Sequence, residues 1–465
     1  MVVMKFGGAS LRDARSIKQI SKIIKKRIAE KPIIILSAVN GVTDILVKAT
    51  DQALEDESAI FENINQLSSI HRRLVAETIS SPPIRTQTQA NLDFLLSRLE
   101  RLFYGIAYTG ECTPRTRDLV ITYGERMAVH LLAGRLNAIL CPAQALHADE
   151  IDLIAHGPWG QGTADMTLTR KQLPQHLEPL LKQGIIPVIT GFFGRTVKGQ
   201  PVTFGRGGTD YSAAVIADAM NATQLEVWKD VDGFLSAAPE IVSNGHLLKN
   251  LSYEEAAELA YFGAKILHPR TVEPLVEKKL PLLIKNTFKT ECEGTIIGPE
   301  RHTHEQIIKS VTFDRQIAVL RIYGASVGYQ VGLLKNLVSV LSDLNINIKS
   351  VITAQTCINL LIDKRDLTES YQHLIQLKSD FIDNIEAVED IALISVVGEG
   401  LMETPGLAAK VFSVVARYDT NVEMISSGAS KVAFYFIIKE NALEKTVKAI
   451  HDEFFNNKSG KPVST

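Results

Sequence analysis

The tail of the chain repeats itself. "IAVLRIYG", starting at Ile317, returns as "IALISVVG" at Ile391. "GLLKNLVSVLSDLNINIKSVI" at Gly332 returns as "GLAAKVFSVVARYDTNVEMIS" at Gly406. Both pairs are 74 residues apart (317 to 391, 332 to 406), so the copies align without a gap. Each copy reads as strand, turn, amphipathic helix, strand. One such unit cannot bury its apolar face alone, and a solenoid needs more copies than two. The chain therefore ends in two small paired α+β modules. Such a repeat is either duplicated scaffold or the frame of a ligand site between copies.

"GPERHTHEQ", Gly298 to Gln306, is polar and has no period, which marks a linker. The expected division is a first domain over 1–298, a linker over 299–310, and modules over 311–385 and 386–465. In the first domain short apolar runs alternate with amphipathic stretches. Strands are expected at Val2–Phe6, Ile33–Ala38, Ile185–Thr190 and Leu225–Trp228, and helices at Ser16–Ala29, Asn91–Leu102 and Ser212–Met220. That alternation argues for an α/β fold, a sheet with helices on both faces. The net charge of −2 over 465 residues gives no electrostatic case for nucleic acid or an anionic membrane. Cys112, Cys141, Cys292 and Cys357 are scattered, with no C-x-x-C pair, and read as reduced thiols. "MVVMKFGGAS" lacks the apolar core of a signal peptide, and no apolar run approaches the roughly 20 residues of a membrane span. The expected compartment is the cytoplasm.

Four stretches carry polar residues where a ligand could meet them. "MKFGGAS" sets Lys5 at a strand end before Gly7 and Gly8, whose backbone N–H groups a phosphate could approach; the plainer reading is a tight turn with a solvated lysine. "GRGGTDYSAA" places a glycine turn before a helix, with Thr209 as its expected N-cap and the helix beginning near Asp210. Arg206 there can clamp a carboxylate through two parallel hydrogen bonds. Asp210 is either a favourable first-turn acid or the partner of a nearby lysine. "VWKDVDG" offers Asp230 and Asp232 after a strand, for Mg²⁺ or a ribose, or as a polar turn. "YFGAKILHPRTVEPL" places Lys265 in a helix that Pro269 is expected to end. There is no Walker-type phosphate loop, no G-x-G-x-x-G after the first strand and no H-E-x-x-H. Several anion-friendly elements without a nucleophile–base set favour phosphoryl transfer.

Together, "KFGG", "LSAVNGVTD", "TYGERM", "GFFG", "GRGGTDYSA", "WKDVDG" and "ELAYFGAKILHPRTVEPL" resemble the aspartate kinases in order and spacing. "NINIKSVIT" and "NVEMISSGAS" resemble that family's paired ACT modules. The first part is similar to the kinase half of bifunctional aspartokinase–homoserine dehydrogenases and to plant-type aspartokinases. The resemblance implies an amino-acid-kinase fold, a largely parallel eight-stranded sheet between helices, followed by two ferredoxin-like ACT domains. It implies transfer of the ATP γ-phosphoryl group to the β-carboxylate of L-aspartate, with Mg²⁺, as the first step toward lysine, threonine and methionine.

By the same resemblance Lys5 and Asp210 are catalytic. Ser37, Thr43, Glu125, Arg206 and Thr209 hold aspartate. Lys5, Gly7, Gly8, Ser10, Lys229, Asp230 and Lys265 serve ATP, and no residue is assigned to a protein-held metal. Asn347, Ile348, Asn421 and Val422 are the effector candidates, for lysine and/or threonine at ACT modules that also assemble a homodimer. Departures from the family pattern include Ala9, Thr209, Lys229, Leu235 and Glu240, the last placing negative charge where the family often has arginine. Lys349 and Ala354 stand where lysine-sensitive members tend to have aspartate and serine. The competing reading is a catalytically weak homologue that senses an amino acid through its ACT modules.

Overall fold

The computed structural model describes residues 1–264, 266–301, 307–377 and 381–456. It divides into two compact units. The first takes in Met1–Phe234, Leu247–Ala257 and Lys265–Arg301, and the second Leu235–His246, Glu258–Ala264 and His302–Thr465.

The first unit is built on an eight-stranded sheet. Its spatial order is Asn250–Ser252, Thr295–Gly298, Leu282–Asn286, Gln224–Lys229, Val2–Phe6, Ile33–Leu36, Ile186–Thr190, Ala143–Leu146. Every neighbouring pair is parallel except Leu282–Asn286 with Thr295–Gly298. The central strands Val2–Phe6, Ile33–Leu36 and Ile186–Thr190 are buried along their whole length. That is why they read as unbroken apolar runs and not as alternating ones. In a parallel sheet the carboxyl ends of the strands gather on one side, where loops can build a site. Val2–Phe6 lies centrally, with Lys5 in register with Ile35 and Val227.

The helix after the glycine turn runs over Gly208–Ala219, and each of its residues is buried. Small residues make that possible: Ala213, Ala214, Ala217 and Ala219 let it lie close to its neighbours. It starts two residues before the expected Asp210, because Gly207, and not Thr209, is the N-cap. Gly207 has φ 72°, a left-handed turn that glycine adopts without cost. The helix Tyr253–Tyr261 ends before Lys265, which lies outside the described residues. Pro269 does not end a helix. It opens the short 3₁₀ turn Pro269–Thr271, where its missing N–H costs nothing.

The second unit holds two four-stranded sheets. One is ordered Ile348–Thr353, Cys357–Asp363, Ile317–Tyr323, Asn384–Val388, and the other Ser310–Asp314, Ile391–Val397, Ala433–Lys439, Met424–Ser426. The modules are therefore not consecutive in the chain. Ser310–Asp314 precedes the first module yet pairs antiparallel with Ile391–Val397 of the second. The expected boundary at 385/386 falls inside the strand Asn384–Val388. Two stretches assigned to the first domain by sequence also cluster here. Ala237, Ile241 and Val242 share an apolar core with Val311, Ile394 and Phe436. The Ser236 hydroxyl lies 2.9 Å from Nε2 of His451. Among the described residues no helix is long and apolar enough to cross a membrane.

Candidate active site

At the carboxyl ends of the central strands of the first unit lies a cavity of about 650 Å³. Lys5, Gly8, Ser37, Thr43, Glu125, Arg206, Thr209 and Asp210 all line it. Lys5 comes from the carboxyl end of strand Val2–Phe6, and Asp210 from the first turn of the helix Gly208–Ala219. Lys5 Nζ sits 2.6 Å from Asp210 Oδ1, with about 6% of each side chain exposed. Lys229 Nζ donates to Asp210 Oδ2 at 3.2 Å. One carboxylate thus holds two ammonium groups; Lys5 lines the cavity and Lys229 does not. Burial draws the Lys5 pKa down, and Asp210 opposes that shift. Burial works against the Asp210 anion, but Lys229 and Lys5 outweigh it and hold the carboxyl at about 2. Gly7 keeps this corner open, since a Cβ there would stand 3.3 Å from Lys5 Nζ.

Glu125 enters from the first turn of the helix Tyr123–Ala138. Its Oε1 accepts the Ala38 N–H at 3.0 Å, while Oε2 is buried without a hydrogen-bond partner. Burial pushes its pKa up to about 8. A buried carboxyl oxygen left unpaired in a residue that lines a cavity is costly unless a ligand meets it. Arg206 is different. It is exposed, on a loop between Gly205 and Gly207, both with φ 72°.

The remaining expected residues are placed otherwise. Ser10 is buried, with its hydroxyl 2.9 Å from that of Thr287, and does not line the cavity. Asp230 is exposed and also lies off the cavity wall, and Glu240 belongs to the second unit. Asp232 accepts from Asn286 at 2.5 Å and from Lys289 at 2.9 Å, so its carboxylate is engaged within the fold. Asn347 precedes the outer strand Ile348–Thr353, and Asn421 and Val422 lead into the outer strand Met424–Ser426. Lys349 is tied down at 2.8 Å from Asp314 and 2.9 Å from Asp363.

Comparison with known proteins gives this site a family. The sequence model of the amino acid kinase family matches residues 1–286, and a model of the ACT domain matches residues 394–454. Aspartokinase 1, chloroplastic, from Arabidopsis thaliana is 32% identical over 468 residues, covering 98% of this chain and 80% of that protein. The chain belongs to the aspartokinase family. Like its relatives, this aspartokinase is a kinase that transfers phosphate to aspartate. The bifunctional aspartokinase/homoserine dehydrogenase of Buchnera aphidicola is 29% identical, over 98% of this chain and 57% of its own length. Among solved structures, E. coli aspartokinase III in complex with aspartate and ADP (R-state) matches with TM-score 0.83 and 25% identity, over 98% of this chain and all of that one. The same enzyme with lysine and aspartate (T-state) matches with TM-score 0.83 as well.

Sequence reasoning missed part of this aspartokinase cavity. Asp118 lines it and is buried. It accepts from the N–H of Gly160 at 2.9 Å, the N–H of Thr203 at 2.8 Å and the Thr203 hydroxyl at 3.0 Å. A signal was available. Asp118 precedes Glu125 by seven residues in a nearly continuous helical stretch, Pro114–Ile121 then Tyr123–Ala138, and that spacing returns to the same face. Arg126, beside Glu125 in "TYGERM", stands 2.6 Å from Asp149 and over the Phe193 ring, bracing the helix that carries Glu125.

Proposed function

We propose that the cavity binds L-aspartate and the terminal phosphates of ATP, and that a β-carboxylate oxygen attacks the γ-phosphorus as the bond to the ADP oxygen breaks, giving 4-phospho-L-aspartate. The observation that carries this reading is the pairing of two unlike devices in one cavity: two lysines gathered on one aspartate, and an unpaired buried carboxyl a short way along the wall. The first suits a polyanion whose charge spreads during transfer, and the second an α-ammonium group.

In this reading Lys5 neutralises the transferring phosphoryl group, and Gly7 and Gly8 let phosphates approach the backbone. Asp210 holds Lys5 and Lys229 together and opposes the burial that draws the Lys5 pKa down. Glu125 binds the α-ammonium of aspartate, Arg206 clamps the α-carboxylate, and the hydroxyls of Ser37, Thr43 and Thr209 complete the frame. Among the described residues no group of three or more His, Cys, Asp or Glu is placed to hold a metal ion. Mg²⁺ would arrive on the nucleotide, with phosphates and water as most of its ligands, and offset phosphate charge.

The reading extends to regulation. Asn347, Ile348, Asn421 and Val422 stand at the starts of outer strands, whose unpaired backbone groups can take up an amino acid or a second copy of the chain. The proposal is a cytoplasmic homodimer, joined through its ACT modules, that commits aspartate to lysine, threonine and methionine synthesis and is restrained by lysine and/or threonine. The complex of E. coli aspartokinase III with lysine supports it by analogy. Aspartyl hydroxamate formation dependent on ATP and Mg²⁺, with glutamate as control, tests the chemistry. Equal rates with both amino acids would overturn the choice of aspartate as substrate, and no rate with aspartate would overturn the chemistry and leave the sensor reading. Calorimetry on the full chain with lysine and threonine, singly and together, tests the regulation; no heat from either would remove it.

A further inference from the structure

Arg270 has no role in the reading above, yet its guanidinium ties together the loops that build one wall of the cavity. It donates from Nη1 to the Phe204 carbonyl at 3.2 Å, and from Nη2 to the Gly162 carbonyl at 3.0 Å and the Thr163 hydroxyl at 3.2 Å. Its central carbon also lies over the ring of Tyr211, 4.5 Å from the centroid. Tyr211 follows Asp210 in the helix Gly208–Ala219, and its hydroxyl accepts the Ala164 N–H at 3.2 Å. One side chain thus joins the segment 162–164, the residue that opens the glycine loop, and the helix that carries Asp210.

The loop between these anchors is Gly205–Arg206–Gly207, and it is pinned on both sides. A Cβ at Gly205 would come within 2.6 Å of the Gly160 carbonyl oxygen, and one at Gly207 within 2.2 Å of the His268 Cβ. On the 160 side Asp118 binds the N–H groups of Gly160 and Thr203. On the 268 side stands the segment that carries Arg270. Two glycines in left-handed turns would ordinarily leave Arg206 on a free hinge. Here the hinge is clamped between two neighbouring loops, and Arg270 bonds to one loop and to the residue at the hinge's start.

We infer that Arg270 is a positioning residue for the amino-acid substrate: it never touches the ligand, but by holding Phe204 and Gly162 it fixes the direction from which Arg206 reaches the substrate's α-carboxylate. The inference rests on the proposed role of Arg206. A planar fork is needed, because three acceptors on two loops and an aromatic face are satisfied together. A lysine is a point charge and can serve only part of that set.

The test is steady-state kinetics on the full-length protein carrying Arg270→Ala, Arg270→Lys, Arg206→Lys and the double variant Arg206→Lys/Arg270→Ala. Misplacing a clamp by an ångström costs up to ~100-fold, so Arg270→Ala should raise the KM for aspartate roughly 10- to 100-fold while the KM for ATP stays within about threefold. Arg270→Lys should fall between it and the parent. Added guanidinium ion should recover part of the loss in Arg270→Ala and none in Arg206→Lys. In the double variant the two effects should not multiply, because each removes the same aimed contact. Should Arg270→Ala fail to fold, Arg270→Lys and its combination with Arg206→Lys carry the same comparison. Effects that multiply, or equal rises in both KM values, would make Arg270 a structural tie only and overturn the inference. If Arg206→Lys itself leaves the KM for aspartate unchanged, the substrate clamp in the proposed function is what fails.

Discussion

The floor and the rim of the cavity hold charge in opposite ways. On the floor Lys5 and Asp210 project from a buried strand and a buried helix and are almost wholly enclosed, and Lys229 shares the same carboxylate, two ammonium groups to one anion. On the rim Arg206 stands in solvent between two glycines in left-handed turns. Charge that must be in place before reaction is built on regular elements, where reorganisation is costly and so does not occur. Charge that must meet a diffusing solute sits where the chain can admit it, and its aim is supplied by neighbours. If the contrast is sound, floor substitutions should act on kcat and rim substitutions on KM.

The largest effect expected is at the floor. Lys5→Ala removes a cation aimed at charge that grows in the transition state, a loss of about 10²–10³ in kcat. It also strands Asp210 with Lys229 as its remaining ammonium partner, but the KM for ATP should move much less. A kcat within twofold of the parent would show that the buried pair supports the fold and not the reaction.

Glu125 lies between the two regimes, being buried like the floor but waiting for a ligand like the rim. Its pKa is raised by burial to about 8 from an ordinary 4.5. The protonated carboxyl therefore contributes stability that is complete below pH 4.5 and is lost as pH rises toward 8. The ligand-free protein should lose stability across that window, and Glu125→Gln should flatten the profile. An arriving ammonium needs the anion, so aspartate binding at pH 7 should release close to one proton. Calorimetry in buffers of different ionisation enthalpy counts it. Glu125→Gln should weaken aspartate binding by about 10- to 100-fold, the worth of a charged hydrogen bond and its partner, and release no proton. Proton release unchanged in the variant would place the titrating group elsewhere.

Arg206→Lys should raise the KM for aspartate roughly tenfold, with kcat and the KM for ATP nearly unchanged, since a lysine cannot reproduce a planar two-bond clamp. A comparable fall in kcat would mean that the rim takes part in the chemical step, and the contrast with the floor would break.

How far this was legible in the sequence differs in the same way. The strand Val2–Phe6 and its lysine follow from an apolar run ending at two glycines, because burial and turn chemistry are local. Gly207 as N-cap has a local reason too: threonine and glycine rank about alike as caps, and the left-handed turn at φ 72° decides for glycine. What no local pattern carries is partner choice. "SVTFD" reads as a strand, but nothing within it tells that Ser310–Asp314 pairs with Ile391–Val397, across the whole intervening module. The burial of Ala237, Ile241 and Val242 among strands of the second unit is likewise a product of long-range packing. Nor does a local pattern carry the role of Arg270, whose partners, two backbone carbonyls, the Thr163 hydroxyl and the Tyr211 ring, all lie far away in the chain.

The smallest effect is expected where resemblance and geometry part. The resemblance to the aspartate kinases puts Ser10 on the phosphate path with Gly7 and Gly8. Its hydroxyl instead lies 2.9 Å from that of Thr287, fully buried, and reaches toward the Trp228 carbonyl at 3.5 Å. Thr287 follows the strand Leu282–Asn286 and Trp228 belongs to Gln224–Lys229, so Ser10 stitches the first glycine turn to two neighbouring strands. A buried neutral hydrogen bond is worth about 1 kcal/mol, and the Thr287 hydroxyl left behind adds a penalty of similar size. Ser10→Ala should therefore lower stability by about 1–2 kcal/mol, read by urea unfolding, while kcat and both KM values stay within about twofold. Such a result would set Ser10 apart from Lys5, five residues earlier, as a support for the floor. A tenfold rise in the KM for ATP with unaltered stability would return it to the phosphate path, and the floor would then extend past the glycines into the 3₁₀ turn Gly8–Leu11.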